Sequence, residues 1–182
     1  MSMNKNYIET NRLILRRFEE TDIDDFFECC QNPNLGNNAG WKPHESKEES
    51  LAILKSFFIE SENNVWAVVL KETDRIIGSI GLVPDPKREN PHSGMLGYWL
   101  KESCWGKGYM SEATQAVLKF GFSTLNLNLV TANCYPHNER SQQVLKRNGF
   151  VYEGLLHQAE VTYDEKVLDH LCYYLTKEEY KK

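Results

Sequence analysis

Residues 95–135 constrain the fold of this chain more than any other segment. The run 95–100 is apolar and typical of a buried strand, a glycine-rich loop follows it, and apolar residues then recur at helical spacing over about 108–124. The run 129–135 is again apolar and β-branched. A strand, a helix and a strand in this order form a right-handed crossover between parallel strands. The segment therefore predicts one parallel strand pair with a glycine loop at its edge.

Strand and helix patterns on either side of this segment predict the remainder of the sheet. Strands are expected over 12–16, 65–70, 75–82, 150–156 and 167–175, and helices from Thr21 to about Cys30, from Ser46 onwards and over Asn138–Asn148. The polar segment 32–40 is interpreted as a long loop. Because the connections from 65 to 100 are short, the three strands there should form an antiparallel meander. The chain is thus expected to be α/β (α+β), with a mixed and mostly antiparallel sheet.

Composition and charge exclude several classes of function. The 182 residues and 41% hydrophobic content fit a single domain, 1–182. A net charge of -5 argues against a nucleic-acid partner, because phosphate binding needs a basic face. No apolar run approaches the ~20 residues that span a bilayer, and Met1–Asn6 lacks the apolar region of a signal peptide. The five cysteines are scattered without metal-ligand spacing. A cytoplasmic protein with reduced thiols, no bound metal and no membrane partner is therefore expected.

The loop Trp105–Met110 has the features of an anion site. Backbone N–H groups at a helix N-terminus lack partners and carry the positive end of the dipole, and glycine lets a ligand approach them closely. Gly106 and Gly108 flank Lys107, which adds a positive charge. Two other phosphate loops are excluded: a dinucleotide fingerprint needs glycine where Ser111 stands, and a Walker A loop needs Ser or Thr where Gly108 stands. The loop is therefore predicted to bind a pyrophosphate through its backbone amides.

Four stretches of the sequence form a pattern in a fixed order: Glu9–Arg16, Trp41–Ser46, Gly97–Leu100 with Trp105–Ala113, and Asn138–Ser141 with Val144–Phe150. Together they resemble the GNAT acetyltransferases, and in particular their RimJ/RimL-like branch. The similarity runs in register from Glu9 to Tyr180. It implies the GNAT fold, with helices on both faces of the sheet and a splayed parallel strand pair that holds acyl-CoA.

The resemblance also implies which residues hold the co-substrate acetyl-CoA. The pantetheine arm is expected between the strands 95–100 and 129–135, and the pyrophosphate on the amides of the glycine loop. Ser141 is expected near the thioester sulfur as the general acid, and Trp41 on the acceptor side. The implied cofactor-binding residues are Trp99, Leu100, Trp105, Gly106, Lys107, Gly108, Tyr109, Met110, Asn138 and Ser141.

Three positions bear on how far the family pattern carries over. Trp105 and Met110 begin and end the phosphate motif, where relatives usually carry Gln or Arg and Gly or Ala. The Met110 side chain must therefore point away from the anion. Met95 stands where many relatives have a glutamate that is a candidate base, so the base is unassigned.

His44 and His92 lie in polar loops and are interpreted as solvated surface.

The implied activity is transfer of an acetyl group from acetyl-CoA to a primary amine, by direct attack in a ternary complex. A protein N-terminal α-amino group is the expected acceptor, because its pKa of about 8 lies far below the pKa of lysine, about 10.4. A small amine, either a polyamine or an aminoglycoside, stays open as an alternative. So do a non-catalytic acyl-CoA-binding module, which Met95 permits, and a structural protein that reuses the fold. Homodimers are frequent in this branch, so a homodimer is a further alternative.

Overall fold

A computed structural model describes residues 6–181 as one eight-stranded sheet packed between helices. The strands are β1 (Tyr7–Glu9), β2 (Leu13–Arg16), β3 (Asn64–Leu70), β4 (Arg75–Val83), β5 (Ser93–Leu100), β6 (Leu129–Cys134), β7 (Val151–Val161) and β8 (Val167–Thr176). The helices are α1 (Ile23–Cys30), α2 (Pro33–Ala39), α3 (Lys47–Ile53, continued by the π-helical turn Leu54–Ile59), α4 (Tyr109–Ser123), α5 (Glu139–Arg147) and α6 (Lys177–Tyr180). The expectation about a signal peptide concerns residues that, apart from Asn6, lie outside this range.

The strand order is β1-β2-β3-β4-β5-β6-β8-β7, and every neighbouring pair is antiparallel except β5 with β6. The predicted meander of β3, β4 and β5 and the predicted parallel crossover through α4 are both confirmed. β8 lies between β6 and β7, so the hairpin β7–β8 joins the sheet through its second strand, β8, and β7 is the edge strand. β1 is a strand that the sequence patterns did not indicate, since it is only three residues long.

The parallel strands β5 and β6 are hydrogen-bonded along only part of their length. Their register begins with Ser93 opposite Leu129 and ends with Leu96 opposite Ala132. Residues 97–100 of β5 then pair with β4 alone, while β6 continues beside β8. The two strands therefore splay apart, as the family resemblance implied, and leave unpaired backbone edges on either side of a gap.

Helices cover both faces of the sheet, which confirms the expected layering. On one face α4 and α5 pack onto a core that contains Leu118, Phe120 and Leu145. On the other face α1, α2 and α3 pack onto a second core that contains Phe26 and Leu54. Burial of apolar side chains of this size contributes about 1.5–3 kcal/mol each. The two layers therefore hold the splayed strands from both sides.

The prediction of a loop over 32–40 is wrong, because residues 33–39 form α2. The side chain of Asn32 caps this helix by accepting hydrogen bonds from the amides of Asn34 (2.8 Å) and Leu35 (3.4 Å), and Pro33 stands in the first turn, where its missing N–H costs nothing. Gly40 ends the helix with φ 84°. Capping residues outweighed the low helix propensity of the asparagines, and burial of Leu35 anchors the helix.

Two further predictions are corrected on the same side of the molecule. Thr21 is not the N-cap of α1, because the chain first makes a 3₁₀ turn over Glu20–Asp22 and α1 begins at Ile23. His44 is not solvated surface. It is 8% exposed, its Nδ1 lies 2.7 Å from the hydroxyl oxygen of Ser50, and burial lowers its pKa.

The five cysteines all lie in the described part of the chain, and none of them forms a disulfide there. Within residues 6–181, no helix has both the length and the apolar character needed to cross a membrane.

Candidate active site

Two cavities meet at the gap between β5 and β6. The first, of about 340 Å³, lies between the glycine loop and α5, and the second, of about 310 Å³, lies between α2 and the β7–β8 hairpin. Both are lined by Tyr98, Trp99, Asn138 and Ser141. A molecule in one cavity therefore comes close to a molecule in the other at these side chains.

The first cavity gathers most of the residues predicted to bind the cofactor. Nine of the ten predicted residues line it: Trp99, Leu100, Trp105, Gly106, Gly108, Tyr109, Met110, Asn138 and Ser141. Lys107 does not line it, and its carbonyl oxygen instead accepts a hydrogen bond from Arg12 (3.0 Å). The Met110 side chain is buried in the core, which confirms that it points away from the loop surface.

The backbone of the glycine loop is shaped to receive an anion. Gly106 and Gly108 have φ of 75° and 79°, a region that disfavours residues with a Cβ. A Cβ at Gly106 would meet no atom within 4 Å, so backbone conformation, and not crowding, requires glycine there. Within residues 6–181 no atom accepts a hydrogen bond from the amides of residues 106–111, and the first bond of α4 runs from Glu112 N to Gly108 O (3.1 Å). These free donors, at the positive end of the helix dipole, fit a pyrophosphate.

Two side chains bridge the mouth of the first cavity. The guanidinium carbon of Arg140 lies 3.9 Å from the centre of the Trp105 ring, a cation–π contact between α5 and the glycine loop. The Trp105 indole N–H donates to the carbonyl oxygen of Leu100 (2.7 Å) and so holds the loop against the end of β5. Arg140 and Arg147, which both line the cavity, add positive charge beside the free amides.

Ser141 and Tyr98 form a hydroxyl pair where the two cavities join. The two hydroxyl oxygens are 2.9 Å apart. Asn138 caps α5 and accepts a hydrogen bond from the Ser141 amide (3.1 Å), which fixes the serine in the first turn of the helix. Burial raises the pKa of Tyr98, and the hydrogen bond with Ser141 offsets only part of that increase. The Tyr98 phenol is therefore neutral at pH 7, so each of the two hydroxyls has a proton to donate into the gap.

The second cavity contains a carboxylate held by two neighbours. Glu160 Oε2 accepts a hydrogen bond from the Tyr135 hydroxyl (2.9 Å) and lies 3.0 Å from His170 Nε2. Burial and the neighbouring Glu160 raise the pKa of Tyr135, so this phenol stays protonated and donates to the carboxylate. The arrangement places a proton acceptor in a cavity that opens onto the Tyr98–Ser141 pair.

Trp41, which the resemblance implied to be an acceptor-side residue, lies on the wall of the second cavity. Its ring meets the Trp99 ring edge-on, with centres 6.0 Å apart. The indole nitrogen of Trp41 and Nδ1 of His170 are buried, and neither has a hydrogen-bond partner in the described chain.

Sequence reasoning missed Tyr98, Tyr135, Glu160 and His170 as site residues. Glu160 reaches the cavity because β7 carries a bulge: Leu156 pairs with His170 and Glu160 with Leu168, so the three residues 157–159 of β7 lie opposite the single residue Asp169 of β8. Gln158, inside the bulge, has φ 48°. No short motif marks such a bulge. Asp169 and His170, neighbours on β8, face opposite ways: Asp169 accepts a hydrogen bond from the Gln158 amide and lies beside His157, while His170 lines the cavity.

Comparison with known proteins agrees with this geometry. A model of the acetyltransferase (GNAT) domain matches residues 12–151. The uncharacterized N-acetyltransferase p20 of Bacillus licheniformis is 31% identical over 174 residues, which cover 94% of this chain and 96% of that protein. The ribosomal-protein-serine acetyltransferase of Escherichia coli (strain K12) is 37% identical over 140 residues, which cover 74% of this chain and 76% of that protein.

Solved structures share the architecture. Spermidine N-acetyltransferase from Vibrio cholerae, in complex with CoA and spermine, superposes with a TM-score of 0.79 over 95% of this chain and 100% of that chain, at 20% identity. At that identity the likeness concerns the fold alone. The family model, by contrast, covers well over half of the chain and includes both the glycine loop and α5. The chain therefore belongs to the GNAT acetyltransferase family and is an acetyl-CoA-dependent N-acetyltransferase related to ribosomal-protein acetyltransferases.

Proposed function

We propose that this protein transfers an acetyl group from acetyl-CoA to a primary amine, with a protein N-terminal α-amino group as the acceptor. The observation that carries the proposal is the meeting of two cavities at Tyr98 and Ser141, one with free helix amides and the other with a carboxylate. Such a pair of cavities accommodates donor and acceptor together. Direct attack by the amine in a ternary complex then needs no covalent enzyme intermediate.

The first cavity supplies the groups to hold the co-substrate. The amides of Gly106, Lys107, Gly108, Tyr109 and Met110 would take the pyrophosphate, and the unpaired edge of β5 at Trp99 and Leu100 would take the pantetheine arm. Asn138, which lines the same cavity, would lie beside that arm. When bound, acetyl-CoA supplies the acetyl group as a thioester. The fit rests on the free donors and the two positive-φ glycines described above.

Glu160 is the proposed base, in place of the glutamate that is missing at Met95. An amine attacks only in its neutral form, and α-amines at pH 7 are mostly protonated because their pKa is about 8. The Glu160 carboxylate, oriented by Tyr135 and His170, would attract the ammonium group and accept its proton. An α-amine needs less help of this kind than lysine does, which supports the choice of acceptor.

Ser141 is the proposed general acid, in line with the resemblance to the family. Its hydroxyl can donate a proton to the departing thiolate, and Tyr98, at 2.9 Å, can replace that proton. A thiol with a pKa near 8.5 leaves tolerably without help. The contribution of Ser141 should therefore fall in the lower part of the usual range of about 10²–10⁴-fold.

Release of free CoA thiol with a panel of acceptors tests the proposal. The panel contains peptides with a free N-terminus, the same peptides with a blocked N-terminus and a free lysine, spermidine, and an aminoglycoside. We expect turnover of the peptides with a free N-terminus and no turnover of the same peptides once the N-terminus is blocked. Turnover with spermidine or the aminoglycoside alone would replace the proposed acceptor with a small amine. Thermal stabilisation by acetyl-CoA without thiol release from any acceptor would instead indicate a binding module.

A further inference from the structure

An ion-pair cluster behind the glycine loop joins the start of the chain to the start of α4. Glu112, in the first turn of α4, accepts hydrogen bonds at Oε1 from the Thr10 hydroxyl (2.6 Å) and the Arg12 amide (2.8 Å). Its Oε2 accepts a hydrogen bond from Arg12 Nε (2.7 Å). Neither Arg12 nor Glu112 lines either cavity, so the cluster lies outside the site described above.

The same arginine also holds the loop. Arg12 donates through one terminal nitrogen to the carbonyl oxygen of Lys107 (3.0 Å), and its guanidinium carbon lies 4.5 Å from the centre of the Tyr109 ring. Lys107 and Tyr109 flank Gly108, whose φ of 79° sets the turn into the helix. Arg12 thus contacts both neighbours of the residue at which the loop becomes a helix.

Electrostatics explains why this arrangement bears on the cofactor. The helix N-terminus attracts an anion, and Glu112 is itself an anion in the first turn. An unrestrained carboxylate there would compete with a pyrophosphate for the same amides and repel it. Burial raises the pKa of Glu112, but hydrogen bonds from Thr10 and Arg12 outweigh that effect and lower it overall, so the group stays charged. Its charge must therefore be neutralised by a neighbour.

We infer that Arg12 is a positioning residue for the pyrophosphate: it neutralises Glu112, keeps that carboxylate turned away from the loop amides, and fixes the loop through Lys107. The inference rests on the proposed assignment of the glycine loop to the pyrophosphate of acetyl-CoA. Arg12 acts through Glu112 and the loop and is not assigned a role in the chemical step.

Two donors separate a pyrophosphate effect from a general one. Acetyl-CoA carries the pyrophosphate, and S-acetylpantetheine lacks it. The Kd of each donor is measured by calorimetry, and the Kd of the weaker donor is obtained by displacing it with the tighter one. Arg12→Met is expected to raise the Kd of acetyl-CoA at least about tenfold, the factor that corresponds to 1.4 kcal/mol, and to leave the Kd of S-acetylpantetheine within about twofold.

Glu112→Gln tests the neutralisation directly. In that background the same Arg12→Met change should weaken acetyl-CoA binding by no more than about threefold, because no carboxylate is left to neutralise; the residual loss reflects the Lys107 contact. Arg16→Met is the matched control. Arg16 is the last residue of β2, the strand that begins directly after Arg12, and it makes a two-pronged ion pair with Asp22 (2.8 and 2.7 Å) and no hydrogen bond to the loop. It should lower the melting temperature without changing either Kd.

The outcomes distinguish this inference from the assignment of the loop. Equal affinity of the wild type for both donors would refute the pyrophosphate site and the inference with it. The inference alone would be refuted if the wild type preferred acetyl-CoA and Arg12→Met kept that preference. It would also be refuted if Arg12→Met weakened acetyl-CoA binding by the same factor in the Glu112→Gln background as in the wild type. If Arg12→Met does not fold, as judged by its melting curve, Arg12→Lys replaces it. That variant keeps the charge and loses the Lys107 bond, and should bind acetyl-CoA within about threefold of wild type.

Discussion

Replacement of Glu160 by Gln removes the proposed proton acceptor while it preserves the shape of the second cavity. The amide oxygen of Gln can still accept the hydrogen bond that the Tyr135 hydroxyl now makes at 2.9 Å. The charge and the ability to take a proton are lost. Because Glu160 does not line the first cavity, the affinity for acetyl-CoA should stay within about twofold of wild type.

The expected loss appears in the acceptor reaction. A positioned base contributes about 10²–10⁴-fold, equivalent to about 3–5 kcal/mol of transition-state stabilisation. The side chain of Glu160 is 32% exposed, so solvent can partly replace it. We therefore expect kcat/KM for the acceptor peptide to fall about 10²- to 10³-fold at pH 7. At pH 9 an α-amine with a pKa of about 8 is already neutral, and the deficit should shrink at least about tenfold.

The assay follows CoA thiol release at saturating acetyl-CoA over pH 6.5–9, beside calorimetry with acetyl-CoA. Glu153→Gln is the control: Glu153 lies on the same strand, pairs with Arg88, and lines neither cavity. A Glu160→Gln variant that kept more than about one third of the wild-type kcat/KM at pH 7 would refute the role of Glu160. So would a deficit that is the same at pH 7 and pH 9, since it would show a loss of geometry and not of proton acceptance.

Three further predictions concern the loop, the general acid and the buried histidine. Gly108→Asp should raise the Kd of acetyl-CoA at least about tenfold, because it adds a Cβ and a negative charge at the anion site; unchanged affinity by calorimetry would contradict the assignment of the loop. Ser141→Ala should lower kcat by about 10²-fold with little change in the Kd of acetyl-CoA, and full activity would show that Ser141 has no chemical role. For His44, burial lowers the pKa in the folded state, so its contribution to stability is present above about pH 6.5 and is lost as the pH falls. The free energy of unfolding, measured with urea at pH 5–7, should therefore fall faster on acidification in the wild type than in His44→Gln, by at most about 1.4 kcal/mol per pH unit. Parallel plots of this free energy against pH would contradict the prediction.

Local signals explain the parts of the fold that the sequence predicted. The meander, the crossover and the closing hairpin follow from runs of apolar residues and short connections, both of which are properties of neighbouring residues. The glycine loop was recognisable for the same reason, because Gly106, Gly108 and the following helix are contiguous. Where prediction failed over 32–40, the signal was also local: Asn32, Pro33 and Gly40 are a cap, a first-turn proline and a terminal glycine.

The acceptor side could not be predicted in this way. Glu160 and His170 come from β7 and β8, Tyr135 directly follows the end of β6, and Glu160 reaches the cavity only through a bulge in β7. The burial of His44 depends likewise on α1 and α3 packing around it, as its contacts with Phe26 and Ser50 show. The sequence by itself determined the strand–helix–strand crossover, the position of the glycine loop within it and the family. Only the tertiary structure decided which carboxylate lines the second cavity and which arginine pairs with Glu112, because the Glu160–His170 and Arg12–Glu112 contacts join residues 10 and 100 positions apart and are formed by packing and not by local pattern.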